Sequence, residues 1–281
     1  MRVGLDDVAT PVRVIRARRG WRTLNLNDVW VFRELLWALT VREVKVRYRQ
    51  TLVGVLWVVL QPVLAGVVFA FVFGGVARVD IGDTPYFLFA FAGYVAWSAF
   101  GNGAIRASTS LLQNSALITK ASFPRLLLPI ASVLASLVDV GIATGVLVAG
   151  AALYGLPPRV ALLLLPVWLL LLSLLALAVG LISGALMVKY RDVQYVLPVM
   201  LQLLLYASPV GYPVSAVPKN FRKVVLANPL SALLEAARGS VLGWSAVSGE
   251  VVMYSIGVVA IVLAGALFVF RSLDRGFADV I

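Results

Sequence analysis

Long stretches without charged residues are the feature that most limits how this chain can fold. A helix needs about 20 apolar residues to cross roughly 30 Å of hydrocarbon. Six stretches of suitable length predict six transmembrane helices, at 52–76, 86–105, 127–152, 161–188, 194–213 and 250–270. With 61% hydrophobic and only 13% charged residues, one water-soluble core could not bury the apolar surface. The predicted fold is an all-α integral membrane protein.

Lysine and arginine residues are distributed unequally between the two sides of these predicted spans. Eighteen fall in the N-terminal segment, the connections after the second and fourth spans, and the tail, whereas six fall on the opposite side. The positive-inside rule then predicts that both termini are cytoplasmic. The net charge of +11 is mainly a topology signal that also favours contact with anionic membrane lipid, and no nucleic-acid partner is expected.

The segments outside the spans carry three further predictions. Tryptophans and a basic stripe recur at helical spacing in 28–49, which predicts an amphipathic helix in the headgroup region. The alternative is a cytoplasmic helix packed on a partner. Residues 106–125 predict a short helix at the cytoplasmic surface, and 214–249 predict a re-entrant extracytoplasmic hairpin rather than a plain loop. The predicted organisation is a basic arm (1–27), the interface helix (28–49), a six-helix transmembrane domain (50–275) and a cytoplasmic tail (276–281).

Several classes of chemistry are excluded by residues that the sequence lacks. Without cysteine or histidine the chain cannot use disulfides, thiol nucleophiles, imidazole catalysis or Cys/His metal sites. It also contains no GxxxxGK[ST] loop that would cradle the phosphates of ATP. The chain is therefore expected to be neither an enzyme nor a carrier of its own metal or cofactor. A membrane-embedded glycan-modifying enzyme is the alternative from a different class.

Asp139 is the one acid deep inside a predicted span. A carboxylate near the bilayer centre costs about 2.5–3.5 kcal/mol on insertion scales, so it should face protein or water. Two interpretations follow. Asp139 either lines a transport pathway or makes interhelical hydrogen bonds with Ser132, Ser136 or Thr144.

Proline interrupts two of the predicted spans. Gln61-Pro62 lies within the first, and Pro198, Ser208-Pro209 and Pro213 lie within the fifth. A proline removes a backbone hydrogen bond and bends a helix. These two helices are expected to line a cavity, although neighbouring helices could satisfy the freed carbonyls without one.

A set of short motifs, taken in order, carries a family resemblance. The motifs are Arg47–Trp57 (RYRQTLVGVLW), Gln61-Pro62, Lys189–Val193 (KYRDV), Ser208–Pro213 (SPVGYP) and Asn228–Leu230 (NPL). With their spacing and six predicted spans, they resemble the permease subunit of type 2 ABC exporters over roughly 28–275. The resemblance is to the polysaccharide-export branch, the Wzm-like O-antigen permeases with their capsule and TarG-like teichoic-acid relatives.

This resemblance implies an assembly and a function. The chain would form a homodimer with two separate ATP-binding subunits, which would hold ATP and Mg, in the bacterial cytoplasmic (inner) membrane. The first and fifth helices of both copies would line a channel for a lipid-linked polysaccharide, with O-antigen as the leading expectation. Capsule or teichoic-acid export, and drug or small-lipid export within the same superfamily, are the alternatives.

The resemblance also implies roles for three groups of residues. The short cytoplasmic helix would couple to the ATPase subunit through Asn114, Ser115, Ala116, Leu117, Ile118, Thr119 and Lys120. Aromatic residues at channel-facing positions, Phe69, Phe73, Tyr206 and Tyr212, are candidates for sugar contacts, with Asp139 as a further pathway candidate. Cations of the interface helix, Arg42, Lys45, Arg47 and Arg49, would receive a lipid pyrophosphate, because guanidinium and ammonium groups pair with phosphate. Anchoring to anionic lipid is the alternative role for these cations.

Overall fold

The regular structure of this protein is helical wherever the computed structural model describes the chain, which is at 26–49, 54–120, 123–157, 159–243 and 247–274. The all-α prediction is confirmed for these residues. The tail at 276–281 and all but the last two residues of the basic arm lie outside them. The α-helices are α1 (Leu26–Val31), α2 (Arg33–Tyr48), α3 (Gly54–Phe69), α4 (Tyr86–Gln113), α5 (Ser115–Lys120), α6 (Leu127–Leu153), α7 (Leu165–Lys189), α8 (Val193–Ala207), α9 (Lys219–Ala227), α10 (Pro229–Leu242) and α11 (Gly249–Asp274). A π-helical segment (Ala70–Val76) extends α3, and 3₁₀ turns occur at Val160–Leu164 and Val214–Ala216.

Five helical segments in the described ranges are long and apolar enough to cross a membrane. They are Leu56–Val76, Tyr86–Gln113, Leu127–Leu153, Val160–Lys189 and Gly249–Leu273. Each coincides with a predicted span. The predicted end of the second span at 105 is wrong, because α4 continues to Gln113. The charge of Arg106 does not end the helix, since this side chain is paired inside the helix bundle.

The sixth predicted span, 194–213, is not one continuous helix. It begins as α8 but ends at Ala207 after 15 residues, a length of about 22 Å at 1.5 Å per residue. Ser208 is extended (ψ 151°), as expected for a residue that precedes proline. The predicted boundary at 213 is therefore wrong, and the chain continues as irregular backbone from Ser208 to Pro213.

Helix α4 lies at the centre of the structure, packed along α7 and α6. Small residues allow α4 and α7 to approach closely. A Cβ added at Gly184 of α7 would lie 3.0 Å from the carbonyl oxygen of Ser108, and one added at Gly103 of α4 would lie 3.0 Å from the Ala176 Cβ. Close approach through small residues is a common way for helices to associate in lipid, where the hydrophobic effect between helices is absent.

The irregular segment after α8 is held by two buried charged residues of α10. Arg238, fully buried, donates to the carbonyl oxygens of Pro209 (2.6 Å) and Val210 (2.7 Å). Glu235, 1% exposed, accepts the backbone N–H of Val214 at 3.0 Å and lies 3.3 Å from the Arg238 guanidinium. These bonds satisfy backbone groups that have no helical hydrogen bond because of the prolines. Backbone groups in a membrane need such protein partners, since lipid offers no water to bond with them.

The SPVGYP and NPL motifs, far apart in sequence, contact each other. Asn228 caps α10 by accepting the N–H of Leu230 at 3.1 Å, and its amide donates to Ser208 Oγ at 3.0 Å. Tyr86, at the start of α4, donates to the Gly211 carbonyl at 3.0 Å. The predicted hairpin segment contains two helices, α9 and α10, and α10 packs against α4, α7 and α11.

The predicted interface helix forms α1 and α2, with a break at Phe32. Leu39 is buried in the contact of α2 with α6, whereas Trp30 and Trp37 are 71% and 69% exposed. Apolar residues therefore point both toward the bundle and away from it, so α2 does not have the single apolar face that was predicted. Its position in the headgroup region remains a prediction.

We predict that Gly93→Ala destabilises the contact between α4 and the segment after α8. The added Cβ would overlap the Val210 carbonyl oxygen and lie 2.5 Å from Arg238 Nη2. Overpacking of this kind costs about 1–3 kcal/mol, which should lower the thermal unfolding midpoint of the purified protein in detergent. Gly141→Ala in α6 is the matched control, since nothing lies within 4 Å of its added Cβ. Equal midpoints for the two variants would contradict the described packing.

Candidate functional site

A cluster of charged side chains joins three helices around Asp139. Arg47 of α2 and Arg106 of α4 both pair with Asp139 Oδ2, the latter at 3.0 Å. The Tyr48 hydroxyl, also from α2, donates to Asp139 Oδ1. The carboxylate is mostly buried, with 13% of the side chain exposed. It lies about 18 Å along α6 from Leu127, at 1.5 Å per residue.

These partners differ from those that the sequence suggested for Asp139. Ser132 instead donates to Glu43 at 2.6 Å, and Ser136 donates to the carbonyl of Val133 at 2.7 Å. The Thr144 hydroxyl is buried without a hydrogen-bond partner among the described residues. Asp139 therefore makes interhelical bonds, as one interpretation expected, but the three partners named for it are wrong, because residues of α2 and α4 occupy the carboxylate. Whether it also borders a transport pathway remains a prediction.

Arg106 is the member of this cluster that sequence reasoning missed. The sequence predicts it in a cytoplasmic connection, because the predicted second span ends at 105. A usable signal was present: polar residues recur along one face of α4 at helical spacing, as Asn102, Arg106, Thr109 and Gln113. Such a stripe in an otherwise apolar helix predicts contact with other polar groups in the bundle.

A cavity of about 480 Å³ lies beside the cluster, between α2, α3, α4 and α6. Its polar lining includes Gln61, Ser98, Asn102 and Ser136 together with the Asp139 cluster. The remaining lining is apolar or aromatic, from Trp57, Val58, Pro62, Val140 and Ala143. Pro62 therefore lines a cavity, as the sequence suggested for the first span. The size and mixed lining are typical of ligand sites.

A second cavity of about 360 Å³ lies between α2, α4 and α6 and shares Arg47 and Arg106 with the first. Arg42 lines it and donates to Asn114 Oδ1 at 3.2 Å. Glu43 also lines it, and burial raises the pKa of this carboxyl, while its bond to Ser132 acts in the opposite direction. In Tyr48, burial and the bond to Asp139 raise the pKa to about 12, so the hydroxyl remains a donor at neutral pH.

The four predicted basic residues of α2 thus separate into two pairs. Arg42 and Arg47 face the cavities, whereas Lys45 and Arg49 are exposed and line neither of these two. The structure does not bring all four together at one point.

Three of the four predicted aromatic residues, Phe69, Phe73 and Tyr212, in contrast, form one cluster, which the fourth, Tyr206, joins only through its backbone carbonyl. The ring centroids of Phe69 and Phe73 are 6.0 Å apart, and those of Phe73 and Tyr212 are 5.7 Å apart. The Tyr212 hydroxyl donates to the backbone carbonyl of Tyr206 at 3.2 Å. The π segment and the irregular backbone after α8 bring these residues together. Their predicted contact with sugar is untested.

The predicted coupling segment forms a short helix, α5, as expected. Leu117 and Ile118 pack against the core, whereas Ala116, Thr119 and Lys120 are exposed. Asn114 is buried and bonds to the Ser110 carbonyl at 2.9 Å in addition to Arg42. The surface available to a partner is therefore narrower than the predicted segment.

Membrane-length helices, a broken helix, a proline-containing helix and a short exposed helix between two spans are the architecture of a multi-pass membrane protein. The chain belongs to the ABC-2 type transporter family, whose model matches residues 34–242.

Relatives match the chain over most of its length. An O-antigen export system permease protein, RfbA of Myxococcus xanthus, is 29% identical over 258 residues, covering 91% of this chain and 98% of the relative. RfbA of Klebsiella pneumoniae is 26% identical over 253 residues, covering 88% and 95%. A polysialic acid transport protein, KpsM of Escherichia coli, is 24% identical over 223 residues, covering 73% and 80%.

We predict that Asp139→Asn loosens the attachment of α2 to the bundle. The neutral amide would leave two partly buried guanidinium groups without their shared counter-ion. Amide hydrogen exchange of α2 should then accelerate relative to the unchanged protein, while exchange of the α4–α7 contact should change less. Asp83→Asn, in the exposed loop before α4, is the matched control. Unchanged protection of α2 in Asp139→Asn would show that the ion cluster does not hold this helix.

Proposed function

We propose that this chain is the channel-forming permease subunit of an ATP-driven exporter of a lipid-linked polysaccharide, with O-antigen as the leading substrate. The observation that carries the proposal is the similarity to O-antigen export permeases over 91% of this chain and 98% of the relative. A separate ATPase subunit would supply the work, since the sequence contains no phosphate-binding loop of its own.

The proposed assembly is a homodimer with two ATP-binding subunits, which would hold ATP and Mg. Support comes from α3 and α8, whose large apolar residues are unusually exposed in the single chain. These include Val67, Val68, Phe71, Val199 and Leu203, all at least half exposed. Such apolar area is expected to face lipid or a second copy. The aromatic cluster lies where the end of α3 and its π segment meet the irregular backbone after α8. We propose that α3 and α8 of both copies line the channel.

The proposed orientation places both termini, α5 and the Asp139 cluster toward the cytoplasm, following the distribution of lysine and arginine. The α9–α10 pair would then enter the membrane from the opposite side as a re-entrant hairpin. The buried Glu235 and Arg238 support this arrangement, since their pairing allows a polar helix to pack among the spans. The basic side chains of α2 would receive the lipid phosphate at the cytoplasmic side.

Transport of an acidic polysaccharide of the capsular type is the second candidate function, and the similarity to a polysialic acid transport protein favours it. The two candidates are distinguished in cells from which the gene of this protein is deleted. Loss of O-antigen from the surface, with the polymer retained inside and restored by the gene, supports the leading proposal. Loss of a capsular polymer alone supports the second candidate, and an unchanged surface contradicts both.

We predict that Ala116→Arg prevents assembly with the ATPase subunit. Ala116 is exposed on α5, so a long charged side chain should block a partner surface without disturbing the core. Co-purification of the ATPase with the permease should fall to background, while the permease remains folded. Ser272→Arg, an exposed position near the end of α11, is the control. Normal ATPase recovery with Ala116→Arg would reject α5 as the coupling contact.

We predict that Phe73→Leu reduces polysaccharide export several-fold, because Phe73 contacts both Phe69 and Tyr212 in the aromatic cluster. Phe268→Leu in α11 is the matched control, since Phe268 is 58% exposed and α11 is not among the helices proposed to line the channel. Surface polysaccharide in complemented cells is the measurement, with permease abundance checked in the membrane fraction. Equal export by the two variants would remove the aromatic cluster from the transport path.

A further inference from the structure

Asp139 binds two arginines in the manner in which a phosphate group would bind them. One carboxylate oxygen receives both Arg47 and Arg106, and the other receives the Tyr48 hydroxyl. Paired guanidinium groups with additional hydroxyl donors are a common way for proteins to hold phosphate oxygens. The internal carboxylate therefore occupies a position whose donors suit an external anion.

The two cavities carry more positive than negative charge. Three arginines, Arg42, Arg47 and Arg106, line them together with two carboxylates, Glu43 and Asp139. Asp139 is the carboxylate in direct ion-pair contact with both Arg47 and Arg106. Glu43 accepts from Ser132 at 2.6 Å and also acts on Arg42 and Arg47 through its charge. An added anion would therefore be attracted, and it would compete with Asp139 in particular.

The larger cavity also suits what such an anion would be attached to. Polar side chains of Gln61, Ser98 and Asn102 lie on its lining beside Trp57 and a largely apolar surface. A volume of about 480 Å³ accommodates a phosphate or diphosphate together with the first part of a sugar or hydrocarbon chain.

We propose that this cavity is a phosphate-binding site in which Arg47 and Arg106 hold the ligand, and that Asp139 occupies the phosphate position until the ligand displaces it. The identity of the ligand as a lipid-linked glycan rests on the proposed function, whereas the phosphate site itself does not. In this proposal Arg106 binds the phosphate, and Asp139 competes with the phosphate for the two arginines instead of contacting it.

Displacement of Asp139 has a consequence for α2. Arg47 and Tyr48 are the charged and hydroxyl contacts of α2 with Asp139 on α6. When phosphate takes over the arginines, these bonds to α6 are lost, and α2 is held to the bundle by apolar packing, the Glu43–Ser132 bond and the Arg42–Asn114 bond. By linkage, ligand binding and loosening of α2 favour each other.

The test uses the full chain reconstituted in nanodiscs of zwitterionic phosphatidylcholine, with three probes. Farnesyl diphosphate carries both the anion and a lipid chain, farnesol carries the chain alone, and inorganic diphosphate carries the anion alone. Binding of both diphosphates, with farnesol weaker, identifies a site for the phosphate group. Binding of farnesyl diphosphate alone shows that the source must be a lipid head group. Farnesol binding as tightly as farnesyl diphosphate would overturn the proposal.

Three variants distinguish the competitor from the ligand contacts. Arg106→Gln should weaken diphosphate binding about tenfold, the size expected for one charge-assisted contact. Asp139→Asn should instead tighten binding several-fold, because it removes the competitor. Lys189→Gln, an equal charge change at an exposed site outside both cavities, should leave binding unchanged. A structural role alone would make both cavity variants bind more weakly.

The movement of α2 is a second, independent measurement. Because the chain has no cysteine, spin labels at Val46→Cys in α2 and Leu134→Cys in α6 would be the only ones present, and they report the α2–α6 contact that displacement of Asp139 releases. Both positions are exposed. Farnesyl diphosphate should lengthen or broaden the distance distribution, and Asp139→Asn should produce the same change without ligand. An unchanged distribution on saturation with diphosphate would reject the displacement.

Controls keep the outcome clear when a variant is unstable. Thermal unfolding is measured for every variant, and Asp139→Ser replaces Asp139→Asn when the latter does not fold, with tighter binding expected because the competing carboxylate is again absent. Weaker or equal binding by a folded competitor variant overturns the proposal. Export is assayed separately. Diphosphate binding without polysaccharide export contradicts the proposed function but supports the phosphate site. Export without diphosphate binding supports the proposed function but contradicts the phosphate site.

Discussion

A lipid environment offers no water to a buried charge or a broken helix, and this constraint governs the structure. Two polar centres satisfy it. At one, Asp139 is paired with arginines from α2 and α4. At the other, Arg238 and Glu235 of α10 bind the backbone that follows α8. Each centre connects elements that are distant in sequence, and α4 takes part in both, since Tyr86 also donates to that backbone.

Much of the fold could be predicted from the sequence, because the length of an apolar run depends only on neighbouring residues. The failures occurred where a distant residue decides the outcome. Arg106 signalled the end of a span, yet its counter-ion on α6 keeps it inside the bundle. Residues after Ala207 were apolar enough for a helix, but Pro209 and the buried Arg238 favour irregular backbone there. Local hydropathy does not identify the two distant residues that decide these outcomes, Asp139 on α6 and Arg238 on α10.

In the candidate site, too, local sequence predicts some features, whereas contacts with distant residues decide others. Helix positions predict Phe69, Phe73 and Tyr212 as channel residues. Their rings meet because α3 continues as a π segment and α8 ends before Tyr212. For the basic residues, the rotation of α2 matters more than its composition. Packing on α6 turns Arg47 toward the bundle and leaves Lys45 in solvent or headgroups. A helix with apolar residues on both faces does not reveal this rotation in its sequence.

Helix α4 is one unbroken element of 28 residues, about 42 Å long at 1.5 Å per residue. Its last turn joins α5 through the single residue Asn114, and its first residue, Tyr86, is bonded to Gly211 beside the aromatic cluster. Between these ends it is locked to α7 by close contacts. One continuous helix thus connects α5 with the backbone at Gly211, so a displacement of α5 along the axis of α4 would also displace Tyr86 and, through its hydroxyl bond, Gly211 and the rings beside it.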